Sequence, residues 1–341
     1  MRFALLALLA VSLLGQIPYG RITGRVTDPG GALIPNASIR AVNIQTNVAV
    51  SAVSNDSGNF EIPNLIPGEY RLHVQAEGFK RLERGPVEVR VGDVLNLDLQ
   101  LEIGAVTESL TVTAEAPLLE SATASIGQVT DNKRVTELPL PGSNPMYLTQ
   151  LTPGVISSNP PTHGWMPQAV NSVNDSVAGT SGRSSEFTLD GAPNMTQNGQ
   201  LALVPPPEMV QEVRVQTAPY DASVGHFTGA QINMVFKTGT NALHANLVFL
   251  HCSRPLATKE FFTNRSIYDL STGPVTDDKI NRFFPPVLSN RYRATAGGPV
   301  LLPGVYNGRN RTFWTYGFSM VDRRFASPAF FTVPTAEQRR G

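Results

Sequence analysis

PGEYRLHVQAEGF, residues 67–79, reads as a tight Pro-Gly turn followed by a strand in which Tyr70, Leu72, Val74 and Ala76 alternate with Glu69, Arg71, His73 and Gln75. A period of two places the first set in a core and the second in water. The same alternation continues on both sides. Upstream, Ile22, Gly24 and Val26 alternate with Thr23, Arg25 and Thr27 as far as the DPGG turn at 28–31, and the NDSGN turn at 55–59 separates residues 48–53 from Phe60 and Ile62. Downstream, Val87, Val89 and Val91 alternate with Glu88 and Arg90, and Leu95, Leu97, Leu99 and Leu101 alternate with Asn96, Asp98, Gln100 and Glu102. Residues 21–102 therefore read as roughly seven short strands in a sandwich of antiparallel sheets, Ig-like or transthyretin-like.

The whole chain has 341 residues, enough for more than one domain. Its 27 basic residues balance 27 acidic ones, so no charge excess points to nucleic acid as a partner. Plentiful Gly and Pro between short apolar runs favours β structure rich in turns. Residues 1–20 open with Arg2, an apolar block over 3–14 and then small or polar residues, the layout of a secretory signal peptide; a buried N-terminal helix is the alternative. No later run reaches the ~18 apolar residues of a spanning helix, so a mature chain that enters a membrane does so as β-strands. Cys252 is the single cysteine. It excludes an intrachain disulfide and reads as a half-buried small hydrophobe.

Residues 103–118, IGAVTESLTVTAEAPL, form an extended connector that Pro117 ends. Residues 119–241 differ, with short apolar patches broken by polar loops. A short helix is expected at 146–151, stopped by Pro153; EFTLDGAPN (186–194) is a strand entering a turn at Asp190, Gly191, Ala192 and Pro193; two more strands are expected at 213–217 and 231–237. From 242 onward the pattern shifts again. Trp314, Tyr316, Phe318 and Met320 alternate with Phe313, Thr315, Gly317 and Ser319. Tyr292, Ala294 and Ala296 alternate with Arg291, Arg293 and Thr295, and 245–252 is a third candidate. An aromatic face opposite small polar residues fits a strand between lipid and a barrel lumen; it also fits a soluble sheet with one buried face.

Several of these stretches resemble known families. RITGRVTDPGGALIPNASI (21–39), DSGNFEIPNLIPGEY (56–70) and VQAEGF (74–79) resemble the carboxypeptidase regulatory-like domain, which despite its name is not catalytic. Glu108, Ser109, Leu110, Thr111, Val112, Thr113 and Ala114 are similar to the TonB box of TonB-dependent outer-membrane receptors. The resemblance implies a partner-binding segment that adds as an edge strand to the sheet of a TonB-type energy-coupling protein. Two other readings of this stretch stand beside it: a last strand of the sandwich, and an inert linker. The DGAP turn and INMVFKTGTN (232–241) resemble the plug domain of the same receptors.

Taken in order, the parts resemble the large Oar-like outer-membrane receptors. The fold implied is mainly β: a signal peptide at 1–20, the regulatory-like sandwich at 21–102, a linker with the box at 103–118, an α+β plug at 119–241 and the first strands of an outer-membrane β-barrel at 242–341. The resemblance further implies a periplasmic sandwich, contact with outer-membrane lipid, an external ligand the sequence does not identify, a long external loop at 253–289 and a short periplasmic turn at 301–310. A closed barrel needs at least about eight strands, so three candidates are expected to belong to a fragment or a truncated frame. An adhesion or surface-assembly protein of the same architecture, and a secreted soluble β protein, are the alternatives.

Enzyme chemistry is not expected, and neither is a cofactor. No GxGxxG, P-loop, HExxH or GxSxG stands in a meaningful place. His73 sits on a wet strand face without partners at metal spacing, and His163, His226, His244 and His251 do not pair as ligands do along a helix. His251 and Cys252 are neighbours and so point to opposite faces of a strand. The sequon at Asn194 reads as turn chemistry.

Overall fold

The computed structural model describes residues 19–104, 109–112, 126–138, 140, 144–157, 175–177, 184–197, 201–218, 227–325 and 338–340. Residues 1–18 of the expected signal peptide, together with Glu108, Thr113, Ala114, Pro117, His163 and His226, lie outside the described residues. The chain is mainly β, and it divides into two compact units, residues 1–246 with 295–317 and residues 247–294 with 318–341.

In the first unit, the alternating N-terminal residues form a sandwich. Its strands are β1 (Gly20–Thr27), β2 (Ser38–Asn43), β3 (Ala49–Val53), β4 (Asn59–Leu65), β5 (Gly68–Gln75), β6 (Arg81–Val89), β7 (Val94–Asn96), β8 (Leu99–Gln100) and β9 (Ser109–Val112). One sheet runs β4-β1-β7 with β8 also on β1; the other runs β3-β2-β5-β6-β9. Ile22, Val26, Ile39, Ile62, Leu72 and Val74 are wholly buried between them, which is where period two puts alternate residues. Tyr70 is buried too, and its phenol donates to the Ile66 carbonyl at 2.8 Å, so its polar end is satisfied.

The sandwich departs from expectation in two respects. Its sheets are not purely antiparallel, because β7 and β8 run parallel to β1 and β9 runs parallel to β6. Long intervening chain makes such pairings possible. The leucine run 95–101 is also two short strands rather than one, although Leu95, Leu97, Leu99 and Leu101 all point inward. Its cause lies at Gly24, where a Cβ would stand 1.9 Å from the Leu97 carbonyl oxygen. The backbone closes onto that glycine, with Leu97 N–H donating to Thr23 O at 2.8 Å and Leu101 N–H to Thr27 O at 2.9 Å.

The unit's second five-stranded sheet runs β10-β15-β16-β13-β14. Along the chain, β10 (Ile126–Asp131) leads into α1 (Asn132–Glu137), whose N-cap Asp131 accepts from Arg134 N–H. A separate pair, β11 (Val155–Ser157) and β12 (Asp175–Val177), precedes β13 (Glu186–Leu189), β14 (Ala192–Pro193), β15 (Val210–Ala218) and β16 (Gln231–Phe236). The helix expected at 146–151 is a 3₁₀ segment, Pro145–Leu151, started by Pro145 and capped by Asn144. Val135, Met146, Leu148, Phe187, Val213, Ile232 and Met234 form the core.

Strands β17 (His244–Ser253), β18 (Val287–Pro299) and β21 (Phe313–Phe325) make a three-stranded sheet in the order β17-β18-β21; β19 (Leu301–Leu302) and β20 (Tyr306–Asn307) form a small hairpin before β21. In β21, Trp314, Tyr316, Phe318 and Met320 are all exposed. The segment 253–289, expected as a loop, carries α2 (Phe261–Tyr268) and α3 (Asp277–Phe283), with Ile267 and Phe284 buried and the Arg254 and Lys259 cations 5.5 and 5.9 Å from the Phe284 ring. Among the described residues no helix is long and apolar enough to cross a membrane, which says nothing about crossing by strands.

Candidate partner-binding site

Just before β9 the chain runs beside the residues that lead into β6. Lys80 N–H donates to Glu102 O at 2.8 Å and Gly104 N–H to Gly78 O at 3.1 Å, which brings the end of the sandwich alongside residues 78–80. Ser109, Leu110, Thr111 and Val112 then pair in parallel register with Arg81, Leu82, Glu83 and Arg84. Among the described residues these four residues of the box-like segment are thus the last strand in the sandwich's sheet order, paired with β6.

The other end of β6 runs into a turn that the second sheet grips. On β15, Val213 and Val215 face that sheet's core, so Glu212 and Arg214 project from the opposite face. Glu212 Oε1 accepts from Val91 N–H at 2.5 Å. Arg214 Nη1 donates to the Val91 carbonyl and to Asp93 Oδ1, the latter at 2.9 Å. Asp93 Oδ2 in turn accepts from Arg90 N–H at 3.2 Å. Glu212, Arg214 and Asp93 are 5%, 5% and 3% exposed, so this contact is sealed from water. Burial pushes the Glu212 carboxyl up to about 7 and the Asp93 charge adds to the rise, against the Val91 N–H, Arg90 and Arg214. Near neutral pH this carboxyl is therefore poised between its two forms. In both, an oxygen remains to accept from Val91.

A second attachment is built from asparagines. Asn241 Nδ2 donates to Thr46 O at 2.8 Å and to Asn310 Oδ1 at 2.7 Å, Asn310 N–H donates to Asn241 Oδ1 at 2.8 Å, and Asn47 Nδ2 reaches Asn310 Oδ1 at 3.2 Å. Asn47 and Asn310 both have left-handed backbones, with φ of 57° and 62°, a conformation asparagine tolerates better than most residues.

Asp190, Gly191, Ala192 and Pro193 lie elsewhere, on the second sheet. Asp190 and Gly191 have φ of 49° and 79° and join Leu189 to its partner Ala192, the positive-φ pair of a type I′ hairpin. Asp190 Oδ1 accepts from Phe236 N–H at 2.9 Å, and burial raises its carboxyl despite that bond. Asn194 is buried and holds both the N–H and the carbonyl of Leu203, which fits turn chemistry. His73 meets Glu83 across β5 and β6 at 3.2 Å, and His251 sits between Asn290 and Ser253 at 2.7 and 3.0 Å. Among the described residues no three His, Cys, Asp or Glu side chains group as metal ligands.

Sequence reasoning singled out the β9 residues and the hairpin but missed Glu212, Arg214 and Asp93. On paper Glu212 and Arg214 alternate with valines and look like the wet face of a strand. Their counterparts at 91–93 lie about 120 residues away, and no spacing rule links the two.

Residues 21–102 match the carboxypeptidase regulatory-like domain family. Over 206 residues the chain is 24% identical to the TonB-dependent transporter Oar of Myxococcus xanthus, an alignment that takes in 58% of this chain and 18% of that protein. Among solved structures it is similar to the outer membrane transporter YddB from Escherichia coli, at 14% identity and a TM-score of 0.39 over 52% of this chain and 24% of that one. It is also similar to the siderophore receptor PirA from Acinetobacter baumannii, at 19% identity and a TM-score of 0.34 over 52% and 22%. The chain thus spans less than a quarter of the length of each of these proteins.

Proposed function

We propose that this homologue of the TonB-dependent transporters, whose residues 21–102 are a carboxypeptidase regulatory-like domain, supplies the N-terminal part of an energised outer-membrane receptor. In this reading the signal at 1–20 exports the chain, the sandwich stands in the periplasm, residues 119–241 are the plug that occludes the lumen, and residues 242–341 begin the barrel. An external ligand binds on the outer side. A TonB-type protein engages residues 108–114 and pulls to open a path.

The observation that carries the reading is the face of β21. Trp314, Tyr316, Phe318 and Met320 remain 37–58% exposed, a row of large apolar side chains facing outward along one strand. Such a row stands against lipid in a barrel and is unfavourable against water. Loop lengths support the same orientation: the long segment between β17 and β18 suits the outside, and the short hairpin β19–β20 the periplasm.

Photo-crosslinking in cells tests the partner. With a photoreactive residue in place of Thr111 in the full-length parent, the TonB-type protein is expected as the crosslinked product, and the parent fractionates with the outer membrane. Recovery from the soluble periplasm without that product would sink the receptor reading. A second reading, adhesion or surface assembly without uptake, is favoured by one observation, that β9 is paired as a structural strand. It predicts that deleting residues 108–114 leaves the parent's surface function unchanged.

A further inference from the structure

We infer that the partner takes β9 while β9 is still paired with β6, so that what it grips is the sandwich and not a loose tether. The inference rests on the receptor reading above and adds to it the nature of the docking surface.

Three observations lead there. First, Ser109–Val112 is already extended and fixed by four successive pairs to Arg81, Leu82, Glu83 and Arg84. A strand that is fixed beforehand loses less conformational freedom when a second strand adds to it. Second, β9 ends the order β3-β2-β5-β6-β9. Each extended strand has two hydrogen-bonding edges, and β6 uses one. Strand addition through backbone groups, the mode suited to a short β-prone segment, needs only the other. A partner strand on that side makes a continuous sheet with the sandwich.

Third, the placement of β6 gives such a grip a consequence. One end of β6 holds β9 through residues 81–84, and the chain just past its other end, at Val91 and Asp93, is held by Glu212 and Arg214 of β15. One strand therefore connects the gripped segment to the second sheet. Tension applied at β9 travels along β6 into a buried, charge-assisted contact, and from there into the strand that forms the middle of the β10-β15-β16 ladder. If β9 were first stripped away, the same pull would reach the sandwich only through the backbone that joins β9 to residues 102–104, which are held at residues 78–80, and not along the length of β6.

The test uses the full chain with Cys252→Ser, Glu83→Cys and Thr111→Cys. Glu83 and Thr111 are backbone partners across adjacent strands, a separation a disulfide spans. The probe is the periplasmic domain of the TonB protein from the same bacterium. Its Kd is measured for the oxidised chain, the reduced chain and a free peptide of residues 105–116. Oxidised and reduced chains are expected to bind within about threefold of each other, and both at least about tenfold tighter than the peptide. A tenfold or greater loss on oxidation overturns the inference, because the partner then needs β9 released. So does a peptide that binds as well as the chain. Failure of all three to bind sinks the partner assignment itself, and the inference with it. Amide exchange on the unmodified chain decides the matter where the cross-link does not form: the Arg81–Arg84 amides are expected to keep or gain protection when the probe binds, and their loss of protection overturns the inference.

Discussion

Tyr70, Leu72 and Val74 on β5 are 3%, 0% and 0% exposed; Trp314, Tyr316 and Phe318 on β21 are 37%, 58% and 44% exposed. Both triplets recur every second residue, and both strands form. What differs is the opposite face. In β5 it carries Glu69, Arg71 and His73, which need water, so the apolar face has to be the buried one. In β21 it carries Phe313, Thr315, Gly317 and Ser319, which bear no charge and do not demand solvent. On that second face Thr315 and Ser319 are exposed as well, so alternation alone establishes a strand, and what lies on each side of it decides which way its apolar row turns.

One chemistry at two positions is the sharpest way to break that contrast. Leu72→Ala removes a wholly buried side chain from a central strand and is expected to cost about 2–5 kcal/mol. Leu247→Ala on β17 removes a side chain that is 83% exposed and is expected to change stability by less than about 0.5 kcal/mol. Urea unfolding followed by tryptophan fluorescence and by far-UV circular dichroism reads both. Equal costs would mean that β17 is packed against protein, and the contrast between the two regions would be lost.

How much the sequence discloses follows the same division. The β5 alternation, the inward leucines at 95–101 and the Asp190-Gly191 hairpin are written locally, in residues whose physical requirements the neighbouring residues meet. The parallel placement of β7 and β8 on β1 is not, because it depends on the backbone passing close to Gly24, a contact between residues some 70 positions apart. The grip of Glu212 and Arg214 on Val91 and Asp93 was hidden for the same reason. A charged pair between valines has the same pattern whether water or another sheet lies beyond it. For β9, the sequence supplied the extended conformation and the β-prone composition, but several strands could have received it.

That hidden contact yields the next prediction, and it separates burial of charge from burial of apolar surface. Glu212 has a folded pKa of about 7, above its ordinary 4.5. The folded state therefore holds its proton more tightly, so the contribution to stability is complete below pH 4.5 and is lost as pH rises through about 7. Over that window the wild-type chain is expected to lose up to about 3 kcal/mol at this site. Glu212→Gln keeps an acceptor for Val91 N–H but does not ionise, and it is expected to flatten the slope. Thermal unfolding between pH 5 and pH 8 reads the effect. An unchanged slope in the variant would mean that Glu212 meets water and that the β15 contact with the sandwich is open. Leu72→Ala, by comparison, is expected to shift stability equally across the same range.

The smallest effect tests the other side of the contrast. Phe318 is 44% exposed, so only part of its surface can pass from water into lipid. At about 25 cal/mol per Å² of apolar area, Phe318→Ser removes on the order of 1 kcal/mol of transfer energy, roughly a fivefold loss in partitioning. Flotation with phosphatidylethanolamine–phosphatidylglycerol vesicles measures that loss, while stability in vesicle-free buffer is expected to stay within about 0.5 kcal/mol of the wild type. The two readouts move in opposite senses under the two accounts of β21. A lipid-facing side chain affects partitioning and leaves stability alone. One that completes a protein core lowers stability and leaves partitioning alone, and that second result would remove the observation on which the receptor reading depends.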